Sequence, residues 1–245
     1  MSIFGITLLL LLLLLAAIMT HITVTESFFD FVSAQPVGNI TASSIPLPVI
    51  LIHGWASDAS VWDEWSELLG NDGIQFFPIT FEGDDMCGTS NDHAQELVTI
   101  IEQIKEMTGQ DKVNIVGHSK GGLDARVYLD LSKTDSVANL IMIGTPNAGS
   151  PIAIGSFFCK PAVFDLVPFS DATMAKRNLN TKYNTIAGDW FRPIGNPKIP
   201  GHDDGLVAIS SVESQSYFNN LGHTKDHHFN LVDENEYNLA KQILK

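Results

Sequence analysis

Short apolar runs alternate with amphipathic segments along the chain from Leu47 onward. The runs are rich in β-branched residues, as buried strands are, whereas the segments between them repeat their apolar positions at the helical period. This alternation predicts a parallel sheet with helices on both faces and right-handed crossovers. The predicted strands lie at 49–52, 74–81, 113–116, 140–143 and 183–187, and the predicted helices at 61–69, 92–107 and 121–131. The fold class is therefore α/β, with one domain over residues 47–245.

The first part of the chain has a different pattern, with an almost uninterrupted apolar run from Ile3 to Met19 and no charged side chain before Glu26. A run of about 17 residues lies between the apolar core of a signal peptide and the roughly 20 residues of a membrane span. Residues 1–20 are therefore predicted to be either a cleaved signal peptide or a membrane anchor, which would attach the protein through residues 3–19. Both interpretations predict a secreted or extracytoplasmic protein. Residues 21–46, with small polar side chains and weak periodicity, are predicted to be a linker.

The charge balance excludes one class of partner. Fourteen Lys and Arg against 28 Asp and Glu give a net charge of −14, and no basic residue precedes Lys105. Such a chain repels nucleic-acid phosphates, so no nucleic acid is predicted as a partner. The two cysteines, Cys87 and Cys159, are too few for a disulfide scaffold and lack the spacing of zinc ligands. The sequence leaves open whether they form a bridge.

A candidate nucleophile lies between the predicted strand at 113–116 and the following helix, in the pattern Gly-x-Ser-x-Gly centred on Ser119. A sharp turn from strand to helix crowds the positions two residues to either side of the serine, so Gly117 and Gly121 suit it because they have no Cβ. The Ser119 hydroxyl would then project from the carboxyl end of the sheet, facing the N-terminus of the next helix. The alternative is a glycine-rich turn with a capping serine.

The stretch around Ser119 is one of several motifs along the chain. They are Gly117-His118-Ser119-Lys120-Gly121-Gly122-Leu123-Asp124-Ala125-Arg126, His53-Gly54-Trp55, Gly144-Thr145-Pro146-Asn147-Ala148-Gly149-Ser150, Asp204-Gly205-Leu206-Val207 and a late His228. Together they resemble the lipase and esterase branch of the α/β-hydrolase superfamily. The resemblance implies a mostly parallel central sheet, helices on both faces and a small lid or cap insertion. It also implies ester hydrolysis by a serine nucleophile.

The same resemblance implies two backbone donors for an oxyanion hole. One is the N–H of the residue after the nucleophile, Lys120, and the other is the N–H of Trp55 in the loop after the first core strand. Gly54 would let this loop pass close to the substrate. His53 is interpreted as orienting the loop through hydrogen bonds, because in the family the catalytic base comes late in the chain.

For the base and the acid, the resemblance implies His228 and Asp204. His228 is selected because an aliphatic residue follows three positions later, and Asp204 because it directly precedes Gly-Leu-Val. His227 is a rival for the base. Asp189, at the end of a predicted strand, is a rival for the acid, and neither rival is excluded by the sequence.

The histidines and aspartates between residues 202 and 228 lack metal-ligand spacing, such as two histidines on one helix face. No metal and no cofactor are therefore predicted. Because related lipases sometimes bind a structural Ca²⁺ near the base loop, such an ion stays open, without named ligands.

The predicted lid or cap insertion covers about residues 151–180 and is rich in apolar side chains. They include Ile152, Ile154, Phe157, Phe158, Phe164, Leu166, Val167 and Phe169. Over the carboxyl end of the sheet, such a segment would cap the site and line an acyl pocket. Ordinary packing at the sheet edge is the alternative.

The sequence thus predicts a serine hydrolase that cleaves carboxylic esters through an acyl-enzyme. The expected partner is a small-molecule or lipid ester, such as an acylglycerol or another hydrophobic ester. The same triad would serve a lipid-linked deacylase, a phospholipase, a thioesterase or an acyltransferase. A non-catalytic binding protein on a hydrolase scaffold is the alternative from another class. The oligomeric state is left open.

Overall fold

A parallel sheet forms the centre of the computed structural model, which describes residues 45–82, 87–155, 159–190 and 196–245. Within these residues the sheet has six strands in the order β2-β1-β3-β4-β5-β6, and every neighbouring pair is parallel. The strands are β1 (Val49–Ile52), β2 (Phe76–Ile79), β3 (Val113–His118), β4 (Val137–Ile143), β5 (Lys182–Gly188) and β6 (Asn219–Thr224). The predicted α/β class with a mostly parallel sheet is confirmed.

Helices connect the strands. They are α1 (Asp63–Asn71), α2 (Ser90–Thr108), α3 (Lys120–Ser132), α4 (Lys160–Phe164), α5 (Ile209–Val212) and α6 (Glu234–Leu244), with 3₁₀ turns at Ala59–Trp62, Pro151–Gly155 and His228–Asn230. The longest, α2, begins at a capping box in which the Thr89 and Asp92 side chains each accept from the other residue's backbone N–H. It ends at Gly109, whose φ of 66° is the left-handed conformation that closes many helices.

Successive strand residues point to opposite faces of the sheet, and each face has its own apolar core. On β1, Ile50 and Ile52 belong to the core covered by α2 and α3, whereas Val49 and Leu51 belong to the core that includes α1 and α6. All four residues are fully buried. Because both faces are covered, the strands read as continuous apolar runs rather than alternating ones.

The sequence predicted neither β6 and α6 nor the short helices α4 and α5. Strand β6 consists largely of polar residues and lies at the edge of the sheet, where its exposed side chains need little apolar character. Helix α6 begins with a capping box formed by Asp233 and Glu236, and its buried positions include Tyr237 and Ala240. That capping pattern was present in the sequence and would have indicated this helix.

The two cysteines, whose state the sequence left open, form a disulfide. The Cys87 and Cys159 sulfurs are 2.11 Å apart, and the bridge links residues 72 positions apart in the chain. Cys87 lies just before α2, and Cys159 directly precedes α4 within the 151–180 segment. The bridge therefore tethers this segment to the start of α2 and restricts the unfolded chain.

The described residues belong to one structural unit that runs from Pro46 to Lys245, apart from Ile45. The segment predicted as a signal peptide or membrane anchor, residues 1–20, lies outside the described residues, as does nearly all of the predicted linker, 21–46. Within the described part of the chain, no helix combines the length and apolarity needed to cross a membrane.

Candidate active site

Ser119 lies at the tight turn between β3 and α3. Its backbone has φ 52° and ψ −122°, a conformation that L-residues with a side chain rarely adopt. A Cβ placed on Gly117 would lie 2.6 Å from the Gly122 nitrogen, and one on Gly121 would lie 2.5 Å from the His53 carbonyl oxygen. The turn therefore requires glycine at both positions, as the motif predicts.

The structure brings Ser119, His228 and Asp204 together in one hydrogen-bonded chain. The Ser119 Oγ is 2.9 Å from His228 Nε2, and His228 Nδ1 is 2.7 Å from Asp204 Oδ2. The other Asp204 oxygen accepts from the backbone N–H groups of Leu206, at 2.9 Å, and Val207, at 2.7 Å. These two bonds hold the fully buried carboxylate so that its second oxygen faces the imidazole.

Two backbone hydrogen bonds hold the loop that carries His228. The His228 N–H donates to the Asp204 carbonyl oxygen at 3.0 Å, and the His228 carbonyl oxygen accepts from His118 Nε2 at 2.9 Å. Burial lowers the pKa of His118 to about 3, with a further contribution from the nearby His228, so this imidazole stays neutral in ordinary buffers. His118 was not predicted as a site residue, although its place within the nucleophile motif was a signal for it.

The rival acid and base have other partners. The Asp189 carboxylate is 3.1 Å from His202 Nδ1. His227 caps the 3₁₀ turn through the N–H of Phe229, at 3.4 Å, and its ring lies edge-on against Trp190. The geometry therefore favours Asp204 and His228 over both rivals.

The two predicted oxyanion donors belong to residues near Ser119. Lys120 is the first residue of α3, where a backbone N–H has no acceptor within the helix. Trp55 follows β1, and it lines the same cavity as Ser119. A Cβ on Gly54, which precedes Trp55, would lie 3.0 Å from the Ser119 Cβ, so this loop passes directly against Ser119. His53, within the same loop, bonds the Gly54 carbonyl through Nδ1 at 2.9 Å.

A cavity of about 340 Å³ opens at the Ser119 hydroxyl and has a largely apolar wall. The segment 151–180 supplies part of that wall, while Val61, Pro146, Leu206, Val207 and Phe229 supply much of the rest. From the segment come Ile152, Ala153, Val163 and Leu166. Of its other predicted apolar residues, Ile154, Phe164 and Phe169 are exposed, and Phe157 and Phe158 lie outside the described residues. The segment thus contributes to the site with the buried Val163 and with half-buried residues such as Leu166.

Three carboxylates from either side of the 3₁₀ turn at His228–Asn230 approach one another. Ligand atoms of Asp226, Asp233 and Glu236 all lie within 4.8 Å of one another. Glu236 is fully buried, and this burial raises its pKa to about 8, with a further contribution from Asp233. A protonated Glu236 relieves the repulsion within the group at neutral pH. The absence of a resident metal stays a prediction.

Comparison with known proteins places the chain in a family. A sequence profile described as the α/β hydrolase fold matches residues 48–172, and the chain belongs to that family. A triacylglycerol lipase from Burkholderia plantarii is 34% identical over 127 residues, which cover 49% of this chain and 35% of the relative. Another from Pseudarthrobacter phenanthrenivorans is 34% identical over 119 residues, covering 46% and 37% respectively. The matches thus span little more than a third of these lipases.

A solved structure agrees with the fold over most of the chain. The mature form of a Bacillus licheniformis lipase superposes with a TM-score of 0.71 and 23% sequence identity. The match covers 86% of this chain and 96% of that structure. At this level of identity the similarity establishes the common fold.

The buried Glu236 generates a prediction about stability and pH. Because its pKa in the folded protein is raised above the unfolded value of 4.5, its protonated form favours folding at low pH. This contribution should be lost as pH rises from 4.5 to about 8, on the order of 1 kcal/mol per pH unit. Relative to Glu236→Gln, the wild type should therefore become progressively less stable over this window in urea unfolding. Glu234→Gln, in the same helical turn but exposed, is the control, and parallel pH curves for wild type and Glu236→Gln would contradict the prediction.

Proposed function

We propose that this protein is a serine hydrolase that cleaves carboxylic esters through an acyl-enzyme. The observation that carries the proposal is the hydrogen-bonded chain from Ser119 through His228 to Asp204 at the mouth of an apolar cavity. A binding protein would have no need for a serine in a strained conformation whose hydroxyl contacts an oriented imidazole. The curated relatives named as triacylglycerol lipases support the same reaction class.

In the first half of the reaction, Ser119 Oγ attacks the ester carbonyl carbon while His228 Nε2 takes the hydroxyl proton. Asp204 keeps the Nδ1–H of the imidazole directed toward itself and stabilises the imidazolium that forms. When the tetrahedral intermediate collapses, the bond to the alcohol oxygen breaks, and His228 returns the proton to the departing alcohol. The acyl group remains on Ser119.

In the second half, water attacks the acyl-enzyme and gives its proton to His228. The bond to Ser119 Oγ breaks, the proton passes to Ser119, and the carboxylic acid leaves. In both halves the negative oxygen is stabilised by the backbone N–H groups of Trp55 and Lys120. These donors strengthen their hydrogen bonds as charge develops, and removal of one such donor typically costs about 10² to 10³ in rate.

The substrate class follows from the wall of the cavity. Apolar side chains next to Ser119, among them Val163 and Leu166, favour an acyl chain and exclude water from the ester. We therefore propose acylglycerols or other hydrophobic esters as substrates, with the 151–180 segment as a lid or cap.

Export from the cytoplasm is part of the proposal. It is supported by the apolar run from Ile3 to Met19 and by the Cys87–Cys159 disulfide, since disulfides persist mainly in oxidising compartments. The acidic chain, with its net charge of −14, is compatible with a solvated extracellular surface.

The role of Ser119 is tested with a fluorophosphonate probe, which labels activated serine hydroxyls. Wild type should be labelled and Ser119→Ala should not, with a loss of p-nitrophenyl ester turnover on the order of 10⁴-fold or more. Ser60→Ala, at an exposed turn, is the control for nonspecific labelling. Equal labelling of wild type and Ser119→Ala would place the nucleophile elsewhere.

The choice of base is tested with paired histidine variants. His228→Ala should lose far more turnover than His227→Asn, which keeps an acceptor for the Phe229 N–H at the 3₁₀ turn. Both are compared by kcat for one p-nitrophenyl ester at a pH where the wild type is most active. If His227→Asn were the inactive variant, the assignment of His228 would be wrong.

The preference for hydrophobic esters is tested with p-nitrophenyl esters from acetate to palmitate. Because the cavity beside Ser119 is mostly apolar, kcat/KM should rise as the acyl chain lengthens beyond acetate, by up to about fourfold per buried methylene. Val163→Asp should flatten this rise by placing a carboxylate in the wall. A maximum at acetate in the wild type would rule out an acyl pocket at this cavity.

A further inference from the structure

The Lys120 side chain is buried directly behind the nucleophile, although its backbone N–H alone is used in the proposed mechanism. The side chain is 2% exposed, and its Nζ donates to Asp124 Oδ1 at 2.8 Å, one turn further along α3. An ammonium in the first turn of a helix opposes the helix dipole, and buried ion pairs add little net stability over apolar pairs of similar volume. Stability is therefore a poor explanation for these charges.

A second helix contributes to the same cluster. His93, on α2, places Nδ1 2.7 Å from Asp124 Oδ2 and 3.2 Å from Lys120 Nζ. Its ring stacks on Phe81 with the ring centres 3.8 Å apart. Both oxygens of the Asp124 carboxylate thus have partners, one from α3 and one from α2.

The carboxylate at the centre stays charged. Burial by itself would raise the pKa of Asp124, but the Lys120 ammonium and the His93 hydrogen bond more than offset it and hold the pKa below its usual range. The charge on Asp124 therefore fixes the positions of its two donors relative to one another.

The cluster also connects to the wall of the cavity. At the start of α2, the Ser90 backbone N–H donates to Asp165 Oδ2 at 2.6 Å. Asp165 belongs to the 151–180 segment and directly precedes Leu166, which lines the cavity. The first turn of α2 thus contacts both Asp124, the partner of Lys120, and the 151–180 segment.

We propose that the Lys120–Asp124–His93 network positions the oxyanion donor of this enzyme. By anchoring the side chain of Lys120, the network fixes the first turn of α3 and with it the direction of the Lys120 N–H relative to Ser119. The proposal rests on the proposed function. Lys120 supplies the donor itself, whereas Asp124 and His93 are positioning residues.

A displaced donor has a specific kinetic signature. Because the oxyanion forms only in the transition state, a misdirected N–H lowers kcat while substrate binding changes little. The expected loss is part of the cost of a missing donor, about tenfold to a hundredfold in kcat.

The test compares Lys120→Met with the double variant Lys120→Met/Asp124→Asn. The single variant leaves a buried carboxylate without its cation and should be less stable in urea unfolding. The double variant removes both charges, keeps an acceptor for His93 and should recover stability, yet its kcat should stay about tenfold to a hundredfold below wild type with KM within about twofold. Lys133→Met, which breaks the exposed pair with Asp130 at the other end of α3, is the matched control and should keep wild-type kcat.

A double variant with wild-type kcat, or one with raised KM and unchanged kcat, would overturn the proposal. A second pair of variants, at His93, alters the network from α2 alone and keeps the proposal testable if the double variant misfolds. His93→Gln keeps an N–H donor for Asp124 and should retain more kcat than His93→Leu, and wild-type kcat in both would again overturn the proposal. Fluorophosphonate labelling distinguishes failure of the proposed function from failure of the positioning role. If wild type and Ser119→Ala label equally, the proposed function is wrong and the positioning role is wrong with it.

Discussion

The arrangement of the site depends on how closely the backbone approaches itself where β3 turns into α3. A Cβ at Gly117 or Gly121 would lie within 2.6 Å of backbone atoms, so the turn exists only with glycine at these places. Ser119 occupies a positive-φ conformation that typically costs about 1–3 kcal/mol, which the surrounding packing must offset. That strain points the hydroxyl out of the sheet and places the first N–H of α3 beside it. The proposed nucleophile and one proposed oxyanion donor therefore depend on the same backbone geometry.

Backbone hydrogen bonds give different orientations to two acidic residues that follow β5. Asp203 and Asp204 are adjacent, and both are buried. The Asp203 carboxylate accepts from the backbone of Asn196 and Gly205 and stabilises the loop, while Asp204 uses two backbone N–H groups to present one oxygen to His228. Two neighbouring carboxylates thus have separate tasks because their backbone hydrogen bonds turn them in different directions.

In this acidic protein, two of the few cations are buried in α3. Arg126 donates to the backbone carbonyls of Asn147, Thr173 and Ala175, and so connects the helix to the segment that follows β4. Lys120, at the start of the same helix, donates to Asp124, and the other oxygen of that carboxylate is bound by His93 from α2. Helix α3, which follows Ser119, is therefore bonded at several points to the elements that surround the cavity. A rigid supporting shell of this kind is what keeps a reactive group and its donors within the narrow tolerances that catalysis needs.

Local interactions account for most of what the sequence predicted. Apolar runs predicted β1 to β5 because both faces of the sheet are covered. The glycine spacing around Ser119 predicted the tight turn between β3 and α3 because the crowding there involves mostly residues a few positions apart. Strand β6 was not predicted because an edge strand needs little apolar character. The disulfide between Cys87 and Cys159 was not predicted because no local pattern indicates which distant cysteines meet.

The sequence by itself determined the strand and helix pattern, the position of the turn at Ser119 and a short set of acids and imidazoles, all of which depend on near neighbours in the chain. Only the tertiary structure decided that His228 faces Ser119 across 109 positions, and that Asp189 and His227 have other partners. It also revealed the buried ion pair of Lys120 and Asp124. These outcomes follow from the order of parallel strands, which brings loops distant in sequence to one edge of the sheet, and from backbone hydrogen bonds that orient each side chain there.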